Sequence, residues 1–306
     1  DNDGTRPPVE EQQVPAYSGS QSCRHPPPNK SKPYYHATYP EPPSKSVLND
    51  IMVKLVETMR EKQIPFSFLV GDMPTYKTIV QLKAENHELF ENIIPILGAF
   101  HQQMSYIYAI YKRFKGSGIA DILVAAGIVV EGSVDQALQA KHYRRGVRCI
   151  LLWREALIQK RLQDILEHDE LSVDIIRNLD ILCDALNETQ EVLHEAHTSL
   201  EGDEDLKELI RQVYEKPGTD MGDFWISFIE MTDPLVQNIY ACHAGDASEY
   251  LSSTYDMLPG LMAYDNHDYG RWLPDYWAMI SSLTDEQMTF FTDHFTQSMT
   301  GLPYSC

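Results

Sequence analysis

From residue 46 onward, apolar positions recur with the period of a helix. In SVLNDIMVKLVETMREKQ, Val47, Leu48, Ile51, Met52, Leu55, Val56 and Met59 fall three and four apart, which predicts an amphipathic helix. IPFSFLVG, entered at Pro65, is apolar with little alternation and predicts a short strand covered on both faces. PTYKTIVQLKAENHELF, residues 74–90, predicts a helix, and NIIPILG a second strand, although Pro95 argues against a long central one. After Phe100 the pattern is helical throughout. HQQMSYIYAIYKRFKG ends at Gly116 and IADILVAAG at Gly127. The run 133–169 opens with Ser133 as a cap and divides into two helices near Lys141. Two more helices are expected over 172–201 and 204–216, and four helical stretches between 224 and 299.

Residues 1–46 break this pattern. They hold ten of the eighteen prolines and almost no aliphatic side chains, too little apolar surface to offset the entropy of ordering, and are expected to form a loose or disordered tail. The chain therefore reads as mainly α, with a small α/β element near residues 64–101. Three portions are expected within 47–306: an α/β core portion over 47–115, a helical portion over 116–223 and a C-terminal helical portion over 224–306.

Charge changes the picture more than composition does. The 306 residues carry a formal net charge of -20, which argues against nucleic acid as a partner if taken as a whole. The distribution is uneven: residues 47–162 carry +4 (11 acidic, 15 basic) and residues 163–223 carry -14 (18 acidic, 4 basic). No run reaches the roughly 18 to 20 apolar residues of a membrane span, and no signal-peptide pattern opens the sequence, so a soluble intracellular protein without a membrane partner is expected. The five cysteines are scattered and never in a CxxC pair, which argues against both a disulfide framework and a structural zinc site.

Four places carry candidate chemistry. Asp72, after FSFLVG and before a helix, is either the N-cap of that helix or an acid at the carboxyl end of a strand, where α/β sheets place their ligands. His101 in GAFH stands at the end of the second strand and faces the same choice. In KHYRRGVRCILLWREALIQKR, residues 141–161, seven of twenty-one residues are basic. Lys141, Arg144, Arg145 and Arg148 form a basic face there, which either pairs with the acidic helices downstream or contacts phosphates. Finally, AYDNHDYGRW gathers Asp265, His267, Asp268, Tyr269 and Arg271, but at a spacing that matches no compact metal motif. The sequence contains no P-loop, GxGxxG, GxSxG or HExxH.

FLVGDMPTY, IIPILGAFH, KGSGIADILVAAGIVVEGSVDQALQAKHYRRGVRCILLWREAL and SSTYDMLPGLMAYDNHDYGRWLPDYWAMISSL resemble a multicopy eukaryotic family of uncharacterised, transposon-derived proteins, over roughly residues 47–306. That resemblance implies a transposase-like domain with a remnant ribonuclease-H-like sheet, in which two Asp and one Glu hold Mg²⁺ for phosphodiester chemistry. Asp72 then matches the second Asp and metal ligand, and His101 the histidine of a (Cys/Asp)xxH element in which Gly98 replaces the first residue. Glu230 and Glu249 are the candidates for the final Glu, and Lys141, Arg144, Arg145 and Arg148 become DNA contacts within 141–161. Only the proline-rich tail and one helix, bearing Asp50, precede Asp72, so no strand supplies the first Asp. The expectation is a domain inactive as a nuclease, nuclear if it binds DNA. The rival reading is a non-enzymatic interaction module whose acidic helices, 163–223, bind a protein partner.

Overall fold

In a computed structural model of the chain, the described residues are 44–168, 203–215, 220–264 and 267–295, with 29–30, 175, 177–178, 181 and 297–298 besides. Among them the protein is mainly helical. In order, the elements are α1 (Lys45–Lys62), β1 (Ser67–Gly71), α2 (Met73–Glu85), α3 (His87–Phe90), β2 (Ile93–Leu97) and α4 (Ala99–Phe114). Then come α5 (Ile119–Ala125), α6 (Glu131–Leu138), α7 (Tyr143–His168), α8 (Glu204–Glu215) and α9 (Asp220–Ala244). The last are α10 (Ala247–Asp256), α11 (Leu258–Ala263), α12 (His267–Ser281) and α13 (Asp285–His294). A two-residue parallel pairing joins Asn29–Lys30 to Gln297–Ser298. The tail reading for 1–46 and the helix expected over 172–201 fall almost wholly outside the described residues.

The expected α/β element is present. β1 and β2 pair in parallel from Ser67↔Ile93 to Gly71↔Leu97, and the Gly98 amide donates to the Gly71 carbonyl at 2.8 Å, one step past the ladder. The burial expected for the first strand belongs to the second. Every residue of β2 is buried, whereas Val70 of β1 is 62% exposed, because helices cover the sheet unequally. Pro95 fits because the sheet has only two strands, so each has a free edge and a missing donor there costs no ladder bond.

The single helix expected over 74–90 is two, since Asn86 leaves the helical region (φ -135°, ψ 57°). Ser133 does not cap α6. The helix begins at Glu131, and the Ser133 hydroxyl donates back to the Val130 carbonyl at 3.2 Å. The break near Lys141 is present: Ala140 takes a left-handed turn (φ 61°) between α6 and α7.

Two main cores organise these elements, and a third, small cluster of Ile165, Ile175, Leu209 and Val213 packs α8 against the end of α7. Of the main cores, the smaller joins α1, α2, α3 and β2 through Leu48, Met52, Val56, Ile79, Phe90 and Ile93. The larger runs from Met73 to Phe291 and centres on α4, whose Tyr106, Ile107 and Ile110 are at most 2% exposed. α9 packs on α4, α7 and α10, and thereby brings the C-terminal helices back to the sheet. Gly146 sets the approach of α7 to α6, since a Cβ there would stand 2.5 Å from the Ala137 carbonyl oxygen. No described helix is long and apolar enough to cross a membrane.

Candidate functional site

A cleft of about 400 Å³ opens at the carboxyl ends of β1 and β2, where parallel sheets place their ligands. Its lining includes Asp72 after β1, and His101, Met104, Ser105 and Tyr108 along one face of α4. Gln139 and Ala140 close one side, and Asp268 and Tyr269, at the start of α12, close the other. The sequence thus places Asp72 and His101 correctly at a common edge.

Asp72 is also the cap of α2. Its Oδ1 accepts from the Thr75 amide at 3.0 Å, and Pro74 in the first turn needs no partner for a missing N–H. Gly71 permits this geometry, because a Cβ there would meet Thr75 Cγ2 at 2.6 Å. Hydrogen bonding from the Thr75 side chain holds the Asp72 carboxyl below its ordinary value against partial burial, with help from the Thr75 amide and from electrostatic interaction with nearby His101. Capping and lining the cleft are therefore two tasks of one carboxylate.

Across the cleft, Tyr269 is buried, and burial first, then Asp72 and Asp268, push its phenol above the ordinary range despite a hydrogen bond with Ser105. It stays a neutral hydroxyl. Asp268 is bound by Lys77 Nζ at 2.9 Å, which ties the start of α12 to α2. AYDNHDYGRW thus supplies a wall of the site through Asp268 and Tyr269. Local spacing did not show this, because both meet α2 and α4 only after the chain has passed through the helices that separate α4 from α12. Ser105 and Tyr108 were within reach of sequence reasoning, since they follow His101 at i+4 and i+7 on a helix.

Glu230 on α9 and Glu249 in the first turn of α10 are exposed, and neither lines the cleft. Asp50 is in α1, as expected. A two-metal centre needs carboxylates that converge on both ions. Among the described residues, no three His, Cys, Asp or Glu side chains group closely enough to hold a metal ion, and the two acids of the cleft are engaged by Thr75 and Lys77. This donor set does not fit two Mg²⁺ ions. As it stands, the cleft offers an ionised acceptor, an imidazole, two hydroxyls and the Gln139 amide, which suits hydrogen bonding to a polar ligand.

The basic run follows directly on Gln139 and Ala140, which line the cleft. Lys141 comes next, and Arg144, Arg145 and Arg148 lie on the first turns of α7 at spacings of three and four. All four are exposed, and no described acidic side chain pairs with any of them. Arg154, one turn further on, differs: its Nη2 lies 2.5 Å from Asp233 Oδ1 and its Nε 3.1 Å from the same oxygen, which locks α7 to α9. Much of the acidic segment 163–223 lies outside the described residues.

A family model described as a domain of unknown function, DUF8702, matches residues 20–300. No curated protein and no solved structure matches the chain.

Proposed function

The chain belongs to the DUF8702 family, and for this member we propose a transposon-derived, transposase-like domain that binds nucleic acid and does not cleave it unaided. One observation carries the reading: Asp72 and His101 leave the ends of adjacent parallel strands into one cleft, and the chain that lines it at Gln139 and Ala140 runs on into the exposed Lys141, Arg144, Arg145 and Arg148. The strand-end pair is what a ribonuclease-H-like ancestor would leave, and among the described residues no acid joins Asp72 and Asp268 in the cleft to complete a two-metal centre.

In this reading the basic rim neutralises phosphates and sets the register of the strand. Asp72 accepts hydrogen bonds, and Tyr269, Ser105 and Gln139 offer neutral groups for sugar or base edges. The negative charge of the rest of the chain restricts binding to this face and opposes contact elsewhere.

Fluorescence anisotropy with labelled DNA, between about 50 and 200 mM salt, tests it. Each lost phosphate contact removes roughly 0.7 to 0.9 from the slope of log K against log salt, so replacing all four basic residues by alanine is expected to remove about 3. An unchanged slope refutes the role of this rim. Divalent-metal titration of wild type and Asp72→Asn is expected to give the same curve. Metal-dependent cleavage that Asp72→Asn abolishes would restore the nuclease.

A further inference from the structure

The helix α4, which lines the cleft, also carries exposed rings. Phe100 is 49% and Tyr108 40% exposed, at positions eight apart on α4 and therefore about 12 Å apart along its axis. His101, Met104 and Ser105, which line the cleft, lie between them. Phe100 is held edge-on by Tyr143 (centroids 4.7 Å apart) and by the His101 ring (5.3 Å). Tyr143 is fixed in turn through its hydroxyl, which donates to the Gln103 side chain in the core. Tyr108 stacks with Tyr111 (centroids 6.1 Å apart, planes 23° apart) and carries Lys112 Nζ over its ring, 5.1 Å from the centroid, while the Tyr111 hydroxyl accepts from Gln139 at 3.3 Å.

These rings are set among cations. Residues 99–115 and 139–148 contain seven lysines and arginines and no acidic residue, in a chain of net charge -20. Exposed aromatics and cations close together are the two components of a single-strand binding track: stacking for the bases and charge for the backbone. A duplex covers its base faces with neighbouring bases and would use only the charge.

We propose that this α4 and α7 face is a stacking platform for single-stranded nucleic acid, with one base on Phe100, another on Tyr108, and the backbone along Lys141 and Arg144. The proposal rests on the nucleic-acid reading above and specifies its substrate class.

The full chain is titrated by anisotropy against fluorescein-labelled oligothymidylate and against a duplex of the same length. The single strand is expected to bind more tightly, and Phe100→Ala and Tyr108→Ala are each expected to weaken it by about 5- to 100-fold with little effect on the duplex. Phe100→Leu and Tyr108→Leu, which keep apolar bulk without a ring, should lose as much with unchanged melting, whereas Phe100→Tyr and Tyr108→Phe should bind as wild type. Equal or tighter duplex binding, or leucine variants that hold the oligothymidylate like wild type, overturns the platform and leaves the basic-rim reading standing. Binding of neither probe at low salt overturns both.

Discussion

Asp72 both caps a helix and lines the cleft, and two substitutions separate these tasks. Asp72→Ala removes the acceptor of the Thr75 amide, and loss of an N-cap oxygen costs about 1 kcal/mol, within a range of roughly 0.5 to 2. For a domain of this size each kcal/mol moves the melting temperature by about 2 to 4 °C, so a fall of roughly 1 to 8 °C is expected. Asp72→Asn keeps a cap of equal rank, and its melting at neutral pH should lie close to wild type. Acid separates the two further. The carboxyl is held below its ordinary value in the folded protein, chiefly by the Thr75 side chain, so its contribution is fully present above the unfolded value. It is lost as pH falls through the folded value. The gap in melting temperature between wild type and Asp72→Ala should therefore be constant above about pH 5 and narrow below pH 4, a region that a fluorimetric melting series covers. If Asp72→Ala melts like wild type throughout, the cap contributes nothing and the carboxylate is held for the cleft alone. If Asp72→Asn falls as far as Asp72→Ala, the charge beside His101 outweighs the cap.

Three further outcomes follow from the packing. Gly146→Ala would press its Cβ to 2.5 Å from the Ala137 carbonyl, a backbone atom that cannot rotate away, and should cost about 1 to 3 kcal/mol by chemical denaturation. An unchanged midpoint would mean that α6 and α7 slide apart freely. Arg154→Ala leaves Asp233, with a side chain 25% exposed, without its guanidinium, so a double-mutant cycle with Asp233→Ala should give a coupling of about 1 to 3 kcal/mol. Zero coupling would make the pair ornamental. Burial pushes the Cys242 thiol up to about 12, so it should resist alkylation at pH 8 until the protein unfolds; rapid labelling of the native chain at this position would contradict that burial.

The parts of the fold that sequence made legible are those with strong local signals. Of the seven apolar positions of α1, Leu48, Met52, Val56 and Met59 are buried and the other three half-buried, and GD and GAFH marked two strand ends that share an edge. The exposure of Val70 was not legible, because which face of a short apolar strand is covered depends on helices more than a hundred residues away. The same limit applied to Asp268 and Tyr269: their residue types drew notice, but their role depends on α12 packing against α2. Sequence order also gave no reason to prefer Asp268 over Glu230 and Glu249 as the second acid of the site.

The run KHYRRG shows how charge and packing share one motif. On composition it reads as a basic patch, yet its glycine is the residue that geometry constrains most, since it lets α7 cross the end of α6 at contact distance. That crossing points Cys149 and Ile150 inward and leaves Arg144, Arg145 and Arg148 outward. Ala140, which lines the cleft that holds Asp72 and His101, turns the chain just before this basic face. A substitution at Gly146 should therefore weaken nucleic-acid binding without removing any charge. Loss of affinity in Gly146→Ala with the salt slope retained would distinguish a displaced rim from a neutralised one, because the slope counts phosphate contacts and the affinity also reports how well they are positioned.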